Sequence, residues 1–360
     1  MYNNDEIALI WLDLIDGLTY KKKEKLLSVI SSPAEIKDNL VKLKDKIIDA
    51  VGDKIYIEMQ QTLKDKSLDK HLACLEKQKV VAVTKFSSNY PEKLKSVEMP
   101  PFILYCIGDT GLLSSNCFAV VGTRKMTNYG RQVTEKFSKD LCKAGFVIVS
   151  GLATGVDTIA HESALEYGGK TIAVLAGGFD EIYPPTNFNL SKQIEQKGLL
   201  ISEFKPSEKS ESYYFPIRNR IIAALSQGVL ITEADEKSGA MHTKNYAIDN
   251  GIDVYAIPGS ILSPTSRGTN NLIKLGHAIC VTEINDVLIN FNMQLSMDIV
   301  PKILLGSSEK LIVDILKTGE LSYDEILFKT KIDVKNLNSL LTTLSIRGII
   351  KKLAGNIYTL

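Results

Sequence analysis

Phe146-Val-Ile-Val-Ser-Gly-Leu-Ala-Thr-Gly-Val-Asp157 is a short apolar run that breaks at a glycine-bearing turn and reopens at the threshold of a helical segment, 156–167. A run as short as Phe146–Ser150, bounded by glycine, has the length of a buried strand and not of a helix. Strand, glycine turn and helix make half of a βαβ unit, and the same grammar recurs on both sides. Strands are expected at Ile103–Ile107, Phe118–Val121, Thr171–Leu175, Leu199–Ser202, Val229–Thr232 and Val254–Ile257, with helices near 127–144, 187–197, 217–226, 240–250 and 269–275. Such alternation predicts an α/β fold with a doubly wound, mostly parallel sheet and helices on both faces. Lys143-Ala-Gly145 and Asn250-Gly251 stop helices before the next strand.

Outside this region the pattern changes. Residues 1–80 are rich in Lys, Glu and Asp, with apolar residues at helical spacing (Ile7, Ile10, Trp11, Leu14; Leu26, Leu27, Ile30) and breaks at Gly17 and Ser32-Pro33, so a small helical domain is expected there. Its Lys21-Lys22-Lys23 run reads as a solvated helix face. The α/β domain is placed at 81–291, a weakly patterned linker at 292–308, and a last domain at 309–360, where three helical segments precede Ile349–Leu353, a Gly355-Asn356 turn and Ile357–Leu360. That is the layout of a winged helix, a module that contacts either DNA or protein.

At 360 residues the chain exceeds the size at which one core stops growing. A formal net charge of +1 excludes a globally basic nucleic-acid binder, so any polyanion must meet a local patch. Five cysteines without a Cys-x-x-Cys pair or clustered histidines predict reduced, mostly buried thiols and no structural metal. The opening Met1–Glu6 lacks the features of a secretion signal, and no apolar stretch is long enough to span a bilayer. A cytoplasmic protein with no membrane association is expected.

In an open parallel sheet, ligands bind beyond the carboxyl ends of the strands. The residues at those places are Gly122-Thr123-Arg124, Ser150-Gly151 through Gly155 to Asp157, Ala176-Gly-Gly178, Glu203, Glu233 through Ser238-Gly239, and Pro258-Gly-Ser260. Glycines admit close backbone approach, and N–H groups at the start of the next helix present an anion site, so a phosphate- or nucleotide-type ligand is expected. Neither Gly-x-Gly-x-x-Gly nor a P-loop occurs here, which removes the main warrant for a dinucleotide cofactor or an NTPase. No cofactor is expected. A Gly-x-Ser-x-Gly elbow is also missing, so hydrolysis through Ser150 or Ser238 is not indicated.

Arginine is scarce, yet five of six (Arg124, Arg131, Arg218, Arg220, Arg267) fall between 124 and 267, and a guanidinium grips phosphate with paired hydrogen bonds. Tyr213, Tyr214 and Phe215 before Arg218 read either as a stacking platform for unpaired bases or as core staples ahead of a helix. His161 reads as a base or a packing residue, and Asp157 as a ligand contact or a carboxylate at a helix start. Arg218 and Arg220, two apart, do not share a helix face; Arg218 is assigned to the groove and Arg220 to bracing a carboxylate, Glu203 or Glu233.

Taken in order, Asn89-Tyr-Pro, Val121-Gly-Thr-Arg124 with Tyr129-Gly130, Ser150-Gly-Leu-Ala through Asp157 to His161, Tyr183-Pro184, Leu200-Ile-Ser-Glu203, Phe215-Pro with Arg218-Asn-Arg220, Glu233-Ala with Ser238-Gly239, and Pro258-Gly259 with Gly268 resemble the DNA-processing protein A (DprA, or Smf) family. The resemblance covers roughly residues 85–285 and extends to the flanking helical and winged-helix layout. It implies an extended Rossmann fold, single-stranded DNA as partner, a homodimer, and loading of RecA recombinase during natural transformation, with no catalysis. Carried over, Arg124 is the principal phosphate ligand, with Gly122, Thr123, Ser150, Gly151, Gly155, Asp157, Arg218, Asn219, Arg220, Ser238, Gly239 and Lys244 around it. Two departures stand out: Thr154 and Pro185-Thr186 occupy places where family members carry basic residues. The rival from another class is a LOG-type nucleotide phosphoribohydrolase with Glu233 as its acid, although Pro-Gly-Gly-x-Gly-Thr-x-x-Glu does not occur, and a nucleotide-sensing module is a third reading.

Overall fold

The computed structural model describes residues 2–291, 306–316, 319–346, 349–353 and 355–359, and the chain divides into two units, Met1–Leu295 and Ser296–Leu360. Apart from 306–308, the expected linker 292–308 lies outside the described residues.

Six helices open the larger unit: α1 (Asn4–Asp13), α2 (Tyr20–Val29), α3 (Pro33–Asp38), α4 (Lys44–Val51), α5 (Asp53–Lys64) and α6 (Ser67–Lys77). Their starts follow local chemistry. Asn3 and Glu6 exchange side-chain and backbone hydrogen bonds in a capping box at α1, and Ser32 caps α3 with Pro33 in its first turn. Trp11 is fully buried, and its indole N–H reaches Thr62 Oγ1 at 3.0 Å, the partner a buried indole requires. Lys23 departs from the solvated reading of its run: it is buried and paired with Asp13 at 2.7 Å. Leu9, Trp11 and Met59 share one apolar cluster with Ile103, Tyr105 and Leu200, so these helices are packed on the sheet that follows.

That sheet is built from β1 (Val81–Thr84), α7 (Glu92–Lys95), β2 (Ile103–Gly108), β3 (Cys117–Val121), α8 (Asn128–Lys143), β4 (Val147–Ser150), α9 (Val156–Glu166), β5 (Thr171–Leu175), α10 (Phe188–Lys197), β6 (Leu199–Ser202), α11 (Tyr214–Leu225), β7 (Gly228–Ile231), α12 (Ala240–Asp249), β8 (Asp253–Ala256), α13 (Arg267–Lys274), β9 (Ile279–Cys280) and α14 (Asn285–Leu288). The spatial order is β1-β2-β6-β5-β4-β3-β7-β8-β9. β1 pairs antiparallel with β2, and β2 with β6; every other neighbouring pair is parallel. All seven expected strands are present, while β1 and β9 add an edge each. From β3 the chain winds outward through β4, β5 and β6, crosses back through α11, and continues through β7, β8 and β9. Strand order therefore reverses beside β3, whose residues Ala119 and Val121 register with Val149 of β4 and Ile231 of β7. The carboxyl ends at such a reversal form the crevice of an open α/β sheet.

The smaller unit holds α15 (Ser307–Leu316), β10 (Leu321–Ser322), α16 (Tyr323–Thr330), α17 (Val334–Ile346), β11 (Lys351–Leu353) and β12 (Ile357–Thr359), with strand order β10-β12-β11, all antiparallel. Ile312, Ile326, Leu337, Leu341 and Tyr358 close its own core.

All five cysteines are free thiols. The expectation that most are buried holds for Cys106 and Cys117, whereas Cys74 and Cys280 are exposed, the former on the outer face of α6 and the latter on the edge strand β9. Among the described residues no helix is long and apolar enough to cross a membrane.

Candidate nucleic-acid interface

A cavity of about 560 Å³ opens at the strand-order reversal. The turn after β3, the loop after β4, the start of α11 and the first turn of α12 supply its walls. Of the residues singled out by sequence, Gly122, Thr123, Arg124, Asp157, Arg218, Asn219, Ser238 and Gly239 line it. Ser150, Gly151, Gly155, Arg220 and Lys244 do not.

The reason lies in what each backbone turn already holds. After β4, the N–H groups of Gly151 and Ala153 both donate to Asp157 Oδ2, at 3.1 and 3.3 Å. The loop expected to cradle phosphate is thus capped by its own carboxylate. Leu152 stands in the left-handed region at φ 57° and is held there by Asn187, whose Nδ2 donates to its carbonyl at 2.9 Å. Ser150 is fully buried and donates to the Val120 carbonyl. Gly155 serves close packing: its φ is +83°, and a Cβ there would stand 2.3 Å from the Thr123 carbonyl. After β3, Thr123 N–H donates to the Glu233 carbonyl at 2.7 Å. These glycines bring loops together and leave few backbone donors for a ligand.

Cationic side chains take that role. Thr123 Oγ1 accepts from Lys125 N–H at 3.1 Å and fixes a tight turn, from which Arg124 and Lys125 project, exposed, into the cavity. Neither forms an ion pair among the described residues. The Arg124 guanidinium lies 5.2 Å from the Phe215 ring centroid, and Tyr183 meets the same ring edge-on at 5.5 Å. A cation over an aromatic face beside an open cavity is the arrangement that stacks an unpaired base while holding its phosphate. Of the other aromatics, Tyr214 stacks on Phe204 at 3.9 Å, a packing contact, while Tyr213 is exposed.

Arg218 and Arg220 are both 4 % exposed and differ in what they touch. Arg220 Nη2 pairs with Glu203 Oε1 at 2.6 Å and its Nε donates to the Met99 carbonyl at 3.0 Å; it is a brace, with Glu203 as the carboxylate. Arg218 Nη1 donates to the carbonyls of Gly151 and Val174, and its Nε to Asn219 Oδ1. Burial pulls the Arg218 guanidinium down to about 10, partly offset by the charge of Asp157. Burial likewise raises the Asp157 carboxyl, with Arg218 working in the opposite direction. Each charge stays inside the protein because the other is near.

Two further candidates are internal. His161 is fully buried, its Nδ1 within 2.7 Å of Thr171 Oγ1, and since that hydroxyl donates to the Ile148 carbonyl, the imidazole is the donor. Desolvation, then the charge of Arg218, lowers it to about 3, so it is a neutral packing residue and not a base at the cavity. Glu233 is 1 % exposed and accepts from Thr127 N–H, Thr127 Oγ1 and Thr265 Oγ1. Sequence reading missed Lys125, His242 and Ser212, all of which line the cavity. Adjacency to Arg124 in an exposed turn was the available signal for Lys125. His242 sits three residues after Gly239 on α12, which opens without a side-chain cap. Among the described residues no group of three His, Cys, Asp or Glu side chains is placed to hold a metal.

A doubly wound, mostly parallel sheet with helices on both faces and a cationic, aromatic-edged cavity at its strand-order reversal defines a Rossmann-like α/β protein. The family model described as DNA recombination-mediator protein A matches residues 81–292, and the chain belongs to that family. It is 41 % identical over 210 residues to the DNA processing protein DprA of Bacillus subtilis, covering 58 % of this chain and 71 % of that one. The DprA of Streptococcus pneumoniae is 43 % identical over 223 residues, 62 % of this chain and 78 % of the relative. The X-ray structure of the S. pneumoniae protein superposes with a TM-score of 0.68 at 37 % identity, over 80 % of this chain and 98 % of that chain. A DprA structure from Helicobacter pylori, described for its single-stranded DNA binding mode, gives a TM-score of 0.53 at 35 % identity, over 59 % and 95 %.

Proposed function

We propose that this protein binds single-stranded DNA along the carboxyl edge of the sheet, with Arg124 as the principal phosphate ligand and Phe215 as a base-stacking face. The carrying observation is that Arg124 and Lys125 project unpaired into one cavity beside Phe215. Arg218 supplies charge from the cavity wall, and Asn219, Ser238 and Gly239 complete the polar lining. The H. pylori relative, described as a single-stranded DNA binder, supports the same reading. Lys125, beside Arg124 on the turn after β3, brings to the cavity a cation that Thr154 does not.

Family membership supports a role as a non-catalytic mediator that works as a homodimer in the cytoplasm and hands single strands to RecA recombinase. The phosphoribohydrolase reading finds no support at Glu233, whose carboxylate is committed to two threonines. The test is a gel shift with single- and double-stranded oligonucleotides of one length over a salt series. Single strands are expected to bind tighter, with log K falling by about 0.7 per phosphate neutralised for each unit of log salt. Equal affinity for duplex sinks the proposal.

A further inference from the structure

The charge balance of the cavity asks for more than an internal piece of DNA backbone. Arg124, Lys125 and Arg218 line it against a single carboxylate, Asp157, which leaves at least two positive charges uncompensated in one concave space. Arg218, although 4 % exposed, lines this wall and is tied down through Nη1 and Nε alone; its Nη2 rests against the Gly151 backbone with no acceptor among the described residues. The amino end of α12, a ten-residue helix whose Ala240 N–H donates to Ser238 Oγ at 3.4 Å, borders the same space at Gly239 and adds partial positive charge. An internal phosphodiester offers one negative charge to this set. A terminal phosphomonoester carries close to two at neutral pH, with three acceptor oxygens.

We infer that the cavity seats the terminal phosphomonoester of a nucleotide, either free or at the end of a strand, an inference that rests on the single-strand reading of the same site. At about 560 Å³ the space falls within the roughly 300–1,000 Å³ typical of sites that enclose a small ligand, so a mononucleotide enters whole. Phe215, beside Arg124, gives its base a face to stack on.

Oligothymidylates of one length, with hydroxyl ends, a 5′-phosphate or a 3′-phosphate, are titrated by fluorescence anisotropy, and thymidine monophosphate and thymidine are then used as competitors. One phosphate-ended strand is expected to bind at least about threefold tighter than the hydroxyl-ended strand, the effect of one exposed ion pair, and the end that gains identifies the polarity of the seat. Thymidine monophosphate, and not thymidine, displaces the strand. Lys125→Gln removes most of the phosphate-end preference; a preference that persists in this variant overturns the assignment to this cavity. Equal affinities of all three strands together with no displacement by millimolar thymidine monophosphate overturn the inference, and the hydroxyl-ended strand, still bound, then leaves the single-strand reading standing. Tight nucleotide binding with no strand binding does the reverse.

Discussion

The floor and the rim of the carboxyl edge are made of the same residue types and do opposite things. On the floor, Arg220 holds Glu203, Arg218 holds two carbonyls, and His161 holds Thr171, all under almost complete burial. On the rim, Arg124, Lys125 and His242 are exposed around the cavity, and no ion pair among the described residues claims either cation of the turn. A buried charge is tolerated only when its partners are in place, so Arg220, which holds a carboxylate and lies outside the cavity, has little left to offer a ligand, whereas Arg218, which holds carbonyls and lines the cavity wall, still lends it charge. A rim cation keeps its hydration until a phosphate displaces it, and its interaction energy remains available for binding. The contrast separates residues that build the site from residues that use it.

The largest effect should come from breaking the floor. Arg220→Ala leaves Glu203, only 18 % exposed in its side chain, without its partner, and removing one member of a buried pair costs about 3–5 kcal/mol. Urea unfolding should register that loss, while the protein that remains folded binds single strands as before. If the variant melts normally and no longer binds DNA, Arg220 belongs to the rim.

Breaking the rim should do the converse. Arg124→Ala is expected to weaken single-strand binding by roughly 1.5–3 kcal/mol, the range for hydrogen bonds to a charged group, with unfolding unchanged. Arg124→Lys should recover only part of this, since an ammonium does not reproduce a paired guanidinium contact. Unaltered affinity in the alanine variant, measured by anisotropy, would move the phosphate site elsewhere.

How much of this was legible in the sequence follows the same division. The strands from Ile103 to Ala256 announce themselves as short apolar runs, and each glycine turn marks a strand's carboxyl end, so the edge that carries the cavity can be read directly. β9, of two residues, is too short to show a period, and β1 has no glycine turn after Thr84 to mark its carboxyl end. What local sequence does not reveal is which donors are already taken. Gly151 and Ala153 look like an anion cradle until Asp157, in the first turn of α9, accepts from both of them. The split between Arg218 and Arg220 was legible in kind, because two positions on a helix point apart. Glu203 as the brace partner, in preference to Glu233, depends on the distant Thr127 and Thr265 having claimed the latter.

His161 sharpens the comparison through pH. Its imidazole is held at about 3 by burial and by the charge of Arg218, against the ~6.5 of an unfolded chain. As pH falls below that value the unfolded state takes up a proton that the native state refuses, so this residue's contribution is intact above pH ~6.5 and is lost toward pH ~3, by at most about 1.4 kcal/mol per pH unit. His161→Gln should flatten that part of the stability profile between neutral pH and pH ~5 in urea titrations, without changing single-strand affinity at neutral pH. A profile with the same slope in both proteins would place the titrating group elsewhere.

The smallest effect is expected from the second unit. Lys351 and Lys352 of β11 are exposed, and the Lys352 ammonium lies 5.9 Å from the Tyr358 ring centroid, a long cation–π contact that leaves its charge accessible. Surface cations of this kind contribute to DNA binding through long-range attraction that salt screens within about 10 Å at 0.1 M. Replacing both with alanine should therefore reduce single-strand affinity by less than about 1 kcal/mol at low salt, and by less still at moderate salt. The rim residues account for this: the cavity at the sheet edge carries its own cations and aromatic face, and every residue lining it lies before residue 244. A loss beyond about tenfold, or ~1.4 kcal/mol, at moderate salt would make the second unit part of the grip, and the division between floor and rim would then have to extend across both units.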